Sequence, residues 1–332
     1  MPVEDLEWIR IEDESAVGRV RRTAMALARR LGFSEHRTGE VGIAATELAT
    51  NAQRHAVRGA LLVRVRREAE AGVELVTIDS GPGMADVEAA ARDGWSTAGT
   101  LGIGLGAIAR LASWFDSHSV PGRGTVSVAT FWRGSPPATR PSVGALTRAL
   151  GDEDVCGDAW ALRSSDGITT VMLADGLGHG ELAAVAARQA VRSFATHAGE
   201  EGPAQTIQRL DGALRPTRGA AVTVARLDPS AATVTIAGVG NVAAWVDDGE
   251  RRQAFMSTPG IVGANAKKAR EVRLALPPRA LVVLHSDGLT SKWSLDGYPG
   301  LRTRDPNLVA ATLLRDAGVR HDDASVMVAK AS

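Results

Sequence analysis

Apolar and polar positions change period several times along the first 133 residues, and each change marks an expected element. Residues 6–11 alternate as an edge strand would, after which Val17, Val20, Ala24, Leu27, Ala28 and Leu31 fall at helical spacing behind Ser15, the expected cap. A second helix is expected to open at Thr38, with Val41, Ala45, Leu48 and Ala52 as its apolar stripe. Alternation returns over 61–66 and 73–79, a helix is expected over 103–114, and a closing strand over 125–132. This pattern predicts a helix-covered, largely antiparallel sheet.

The second half reads differently. Short apolar runs at 159–163, 169–174, 220–227, 233–237, 243–247, 281–285 and 325–329 predict strands, with helices at about 182–198, 203–214 and 306–316. Many short strands with a few helices imply two packed sheets flanked by helices, an α+β arrangement. Between the halves, GSPPATRPS has three prolines and no apolar period, so residues 135–142 read as a linker between a domain over 1–134 and another over 143–332.

Composition narrows the function by exclusion. The 332 residues carry 38 basic and 38 acidic side chains, so no overall field points to nucleic acid or an anionic membrane as partner. Cys156 is the only cysteine, which excludes an intramolecular disulfide framework and a cysteine-based zinc site. No signal peptide or long apolar run is evident, so a cytoplasmic location is expected. The first lysine is Lys267, which removes nucleotide sites that need an early lysine, the P-loop and the eukaryotic-type kinase fold among them.

Three features of the first half suit a nucleotide. Glu47, Asn51 and His55 recur every fourth residue, so they share one stripe of the second helix, although a solvated helix face has the same pattern. The strand over 73–78 runs into Asp79-Ser-Gly81-Pro-Gly83-Met, where a strand-end carboxylate can accept from an exocyclic amine and the glycines let backbone approach a flat base. Residues 99–106 form a glycine-spaced loop leading into a helix, a source of backbone N–H groups for phosphate oxygens without a lysine. A Rossmann turn is the rival, but no strand precedes these glycines and their spacing is not GxGxxG.

In this order, with Gly124-Thr125 closing the series, the three features resemble the GHKL (Bergerat-type) ATPases over roughly residues 5–133. ELATNAQRH looks like the N-box, and GTLGIGLGAIARL like the lid, of the small RsbT-type serine kinases of bacterial stress signalling. The resemblance implies a Bergerat-type α/β sandwich in which Asn51 holds Mg²⁺, Asp79 recognises the adenine of ATP, and Gly81 and Gly83 shape its pocket. It further implies that Gly102, Gly104 and Gly106 wrap the phosphates, that Thr125 assists Asp79, and that Glu47 orients or deprotonates an incoming serine hydroxyl.

In the second half, Asp-Gly pairs are frequent and ordinarily mean hairpin turns. Asp175-Gly176 and Asp287-Gly288 differ because each ends an apolar run. With Asp158 before one strand and Asp322-Asp323 before another, four acidic sites stand at strand ends. Such a cluster repels itself unless hard divalent cations neutralise it. GDAW, ADGLGHG, PGIVG, HSDGL and HDDASVMV, in that order, resemble the SpoIIE and RsbX-like branch of the metal-dependent serine/threonine phosphatases over about 143–330.

That resemblance implies a double β-sheet sandwich in which Asp175 bridges two Mn²⁺ or Mg²⁺ ions, Gly176 lends its carbonyl, Asp158 and Asp287 complete the first ion's ligands and Asp322 binds the second. His179 could touch substrate or simply start a helix, and His285 and His321 read as strand-end packing residues. Together the two resemblances imply a bifunctional stress-response regulator that phosphorylates and dephosphorylates STAS-domain or stressosome proteins, with a downstream phosphatase or sigma-factor regulator as a further partner. The alternative is an ATP-binding anti-sigma or phosphatase-activating module fused to a phosphatase, without kinase turnover.

Overall fold

Strand β1 (Asp5–Arg10) leads into helix α1 (Glu14–Arg30), which is capped by Asp13 and not by Ser15. The Asp13 carboxylate accepts from the Ser15 and Ala16 N–H groups at 2.8 and 3.2 Å and from the Ser15 hydroxyl, so the stronger acceptor takes the cap and the serine becomes its donor. Helix α2 (Glu35–His55) opens behind Ser34, whose hydroxyl accepts from the Arg37 N–H; Thr38 lies one turn inside and is buried. Strands β2 (Ala60–Arg67) and β3 (Ala71–Ile78) follow, then short helix α3 (Val87–Ala90), helix α4 (Gly104–Leu111), and strands β4 (Trp114–Val120) and β5 (Gly124–Trp132).

The structure, a computed structural model, describes residues 5–67, 70–90, 104–151, 153, 155–196, 201–319 and 321–331. The chain divides into two units, each with its own packing. The first comprises Val3–Arg140 and, from much later in the chain, Asp296–Arg315; the second comprises Pro141–Leu295 and Asp316–Ser332.

In the first unit the strands form one antiparallel sheet in the order β1-β2-β3-β5-β4. One face, including Leu61, Val63, Leu75 and Phe131, packs with Val20, Leu27, Val41, Leu48 and Ile108 of the helices into a single apolar core. The alternate positions carry charge: Arg64 pairs across the strands with Glu74, and Glu74 with Thr130. The late segment Asp296–Arg315 meets this side, where Asn307 accepts from Arg64 at 3.0 Å. The edge strand β4 is not expected from the sequence, because half-buried WFDSHSV lacks apolar alternation and the helical pattern before it runs on to residue 114.

The second unit holds β6 (Val143–Arg148), β7 (Asp158–Ser165), β8 (Ile168–Gly176), α5 (Glu181–Ala195), α6 (Pro203–Leu214), β9 (Ala220–Asp228), β10 (Thr233–Val239), β11 (Ala243–Asp247), β12 (Arg252–Phe255), β13 (Val272–Ala275) and β14 (Leu281–His285). After the late segment, whose helix α7 spans Pro306–Ala317, strand β15 (Ala324–Lys330) returns to it. Two five-stranded sheets result, in the orders β13-β10-β9-β8-β7 and β12-β11-β14-β15-β6. Helices α5 and α6 cover the first with Ala190, Phe194, Ile207, Leu210 and Leu214 against Met172, Val222, Val224 and Val239. This is the expected α+β architecture, a helix-covered sheet followed by a β-sheet sandwich flanked by helices. Strands β6, β12 and β13 are not expected from the sequence; all three lie at sheet edges, and the last two have only four residues, too few to show a period.

Candidate functional site

In the first unit, the strand β3 end, the α2 end and the β4–β5 hairpin meet around Asp79. Its N–H donates to the Thr125 carbonyl at 3.0 Å, the next N–H, of Ser80, donates to the Val57 carbonyl at 2.9 Å, and its carboxylate accepts from the Gly81 N–H at 2.7 Å. Gly124, at φ +83°, lies so close that a Cβ there would fall 2.0 Å from the Asp79 carbonyl oxygen, so only glycine fits. The loop is tied down further by the Met84 N–H on the Ser119 hydroxyl, which also hydrogen-bonds the Thr125 hydroxyl at 2.9 Å. Burial raises the Asp79 carboxyl above the ordinary carboxylate range, opposed by the Gly81 and Thr125 N–H groups and by the charges of Arg315 and His55.

The other residues expected at this site lie on α2, on the loop after Asp79 and on α4. Glu47 and Asn51 are half-buried on α2, Gly81 and Gly83 lie in the loop after Asp79, and His55 is exposed at the helix end, with its carbonyl against Gly81. Gly104 opens α4 beside Asn51: a Cβ on that glycine would stand 3.9 Å from Asn51 Nδ2. Gly106 is buried in α4, whereas Gly102 lies outside the described residues.

In the second unit the acidic residues gather where the two sheets end. Asp158 and Asp175 are directly paired on β7 and β8. Asp158 is buried; its Oδ2 accepts from the Ser286 hydroxyl at 2.7 Å, and its Oδ1 has no hydrogen-bond partner. Burial, then the negative charges of Asp158, Asp287 and Asp322, raise the Asp175 carboxyl well above the ordinary range. Burial likewise raises Asp158, with the charges of Asp323 and Asp287 adding to it and the Ser286 hydroxyl opposing it. As the side chains stand, no three His, Cys, Asp or Glu among the described residues close around a common ion position. Asp287 accepts instead from Asn241 Nδ2 at 2.5 Å. Even so, an oxygen-only acidic set with an unpartnered buried oxygen and no cationic side chain in it has the donor chemistry that hard divalent cations require.

Asp323 has a different task from Asp322. It is buried, and its two oxygens accept from the Leu150 and Gly157 N–H groups, each at 2.8 Å, so it fastens the loop before β7. Asp322 is only partly buried, and its carboxyl is raised by burial and by Asp287. Gly288 permits the close crossing of these loops, since a Cβ there would lie 1.9 Å from the Asp323 carbonyl oxygen. His179 is exposed and pairs with Glu153 at 2.7 Å; His321 is exposed and so is not the packing residue expected. His285 is buried and neutral in its hydrogen bonding: Nε2 accepts from Trp245 and Nδ1 donates to the Ser286 carbonyl.

Ser286 and Asn241 escaped the sequence reading. Ser286 stood in view, between His285 and Asp287, but its hydroxyl reaches a residue 128 positions away. Asn241 follows Gly240, which turns the chain at φ +97°; that glycine before a polar residue was the available signal.

Comparison with known proteins agrees with both halves. The family of histidine kinase-like ATPase domains matches residues 11–130, and that of Stage II sporulation protein E (SpoIIE) matches residues 165–332. The serine/threonine-protein kinase RsbT of Bacillus subtilis (strain 168) is 33% identical over 129 residues, covering 39% of this chain and 97% of that protein. The phosphoserine phosphatase RsbX of the same organism is 24% identical over 139 residues, covering 41% of this chain and 69% of that protein. A solved structure described as a bacterial stressosome, a modular system adapted to control secondary messenger signaling, matches with a TM-score of 0.52 and 31% identity, covering 56% of this chain and 97% of that one. No helix among the described residues is long and apolar enough to cross a membrane. With a SpoIIE match over half its length behind an RsbT-like, histidine kinase-like ATPase domain, the chain belongs to the SpoIIE family.

Proposed function

We propose that this protein is a bifunctional regulator: residues 1–134 transfer the γ-phosphoryl group of ATP to a serine or threonine of a STAS-domain protein of a stressosome-type pathway, and residues 143–332 remove such groups. The observation that carries the reading is the pairing of buried Asp158 with half-buried Asp175, a concentration of uncompensated carboxylates on the half that matches SpoIIE. The RsbT likeness over the other half supports the opposing activity.

In the hydrolytic domain, Asp158, Asp175, Asp287, Asp322 and the Gly176 carbonyl are the proposed holders of Mn²⁺ or Mg²⁺. When bound, a pair of such ions supplies hydroxide at neutral pH and neutralises phosphoryl oxygens, so no nucleophilic side chain is needed. The chain's own contribution is orientation. Ser286 fixes Asp158, Asn241 fixes Asp287, and Asp323 holds the loop that carries Asp158. In the transfer domain, Asp79 would accept from the adenine amine, Asn51 would hold Mg²⁺, and the N–H groups at Gly104 and Gly106 would serve the phosphates; the same role is proposed for Gly102, which lies outside the described residues. Glu47 takes the proton of the attacking hydroxyl.

The test is incubation of the full chain with labelled Mg²⁺-ATP and candidate STAS proteins, followed by Mn²⁺ and a chase. Label should appear on the STAS protein and then leave it. The Asn51→Ala protein should fail to load label, and Asp175→Asn should load but not release it. Nucleotide binding without transfer would leave the first domain a binding module.

A further inference from the structure

The late segment Asp296–Arg315 is part of the first unit although the chain reaches it only after β14. It is fastened there by polar contacts. The Asp305 N–H donates to Asp116 Oδ2 at 2.9 Å, Arg304 donates to Asp116 and Glu88, and Asn307 joins the buried Arg64–Glu74 pair. Near its end, Arg315 Nη1 donates to the main-chain carbonyl of Asp79 at 3.0 Å.

That contact completes the fixing of one residue. The Asp79 N–H, its carboxylate and the following N–H each have a partner within the first 140 residues, whereas the carbonyl receives its charged donor from residue 315. An ionised carboxylate offers only acceptors to an exocyclic amine, whereas protonation turns one of its oxygens into a donor and weakens the other as an acceptor. Burial disfavours the ionised state at Asp79; the Gly81 and Thr125 N–H groups oppose that effect first, and the charges of Arg315 and, from the end of α2, His55 add to the opposition.

We propose that Arg315 is a positioning residue of the nucleotide site, acting through Asp79: it clamps the strand-end main chain and lends positive charge to the carboxylate that selects adenine. The proposal rests on the reading of Asp79 as the adenine acceptor. Arg315 need not touch the nucleotide.

The experiment is calorimetric titration of the full chain with Mg²⁺-ADP across a pH series, for the wild type and for Arg315→Ala, Arg315→Gln, Arg315→Lys and Asp79→Asn. Loss of one charged hydrogen bond to a half-buried carbonyl predicts roughly tenfold weaker ADP binding for Arg315→Ala. The pH below which binding fails should move upward in the Ala and Gln proteins, which lack the charge, and stay in place in the Lys protein. A general loss of packing would weaken binding without moving that limb, so the limb separates the two roles; if Arg315→Ala does not fold, the Gln and Lys pair makes the same distinction. Wild-type affinity and an unmoved acid limb in the Ala or Gln protein overturn the assignment while leaving the adenine reading intact. ADP binding that is absent in the wild type, or undiminished in Asp79→Asn, overturns the reading of Asp79 and the role of Arg315 with it.

Discussion

Glu74 in the first unit and Asp158 in the second are both buried carboxylates, yet their surroundings are opposite. Around Glu74 the chain supplies its own counter-charges: burial pushes its carboxyl up, but Arg64 and Arg66 outweigh that and hold it at about 2. Asn307 and the Thr130 hydroxyl, at 3.4 and 3.1 Å, complete its partners. Around Asp158 the nearest charges are further carboxylates, and its own carboxyl is driven up. A buried charge that the chain has neutralised is part of the scaffold. One left beside charges of its own sign, with an oxygen lacking any partner, marks a candidate functional site.

The comparison is broken most sharply at Asp175. Its replacement by Asn should lower Mn²⁺-dependent hydrolysis of a phosphoserine protein by more than about a hundredfold, beyond the loss typical of a residue that only supports a ligand. The same protein, metal-free, should be no less stable in thermal unfolding, because one repelling carboxylate has gone. At Glu74 the pattern should invert. Glu74→Gln leaves two buried guanidinium groups without their partner and should destabilise the first unit by about 3–5 kcal/mol in denaturant unfolding, with no direct effect on hydrolysis.

Acidity separates the two sites by sign. The Glu74 carboxyl is lowered on folding, so its stabilisation is fully present above the ordinary carboxylate range and is lost as pH falls towards about 2. Asp158 and Asp175 are raised, so their contribution to the metal-free protein is present below that range and is lost as pH rises through their raised values. Thermal unfolding followed against pH should therefore show Mn²⁺ stabilising the protein more at pH 8 than at pH 5. The smallest expected effect is at Asn241: Asn241→Ala should weaken Mn²⁺ binding by about tenfold in calorimetry, as loss of an orienting hydrogen bond does.

Local order carries its own signature, and the sequence sufficed for it. Helix α6 was expected over the residues it occupies, the apolar stripe of α2 was visible in Val41, Ala45 and Leu48, and the strand ends at Asp79, Asp175 and Asp287 could be seen where apolar runs stop at a carboxylate. The edge strand β1 is legible in its alternation, but β4 is not, because a strand exposed on one edge and half-wet on its faces need not alternate.

What the sequence by itself determined was therefore the set of elements with a periodic buried face, the two-part organisation of motifs, and the acidic and glycine-rich positions that carry the chemistry. Tertiary structure alone decided which polar groups meet: Ser286 with Asp158, Asp323 with the Gly157 N–H, Asn307 with Arg64, and Arg315 with the Asp79 carbonyl. The reason is physical. Burial of an apolar stripe repeats with the period of its own helix or strand, whereas a hydrogen bond between residues more than a hundred positions apart leaves no period in either segment and exists only once packing has brought donor and acceptor together.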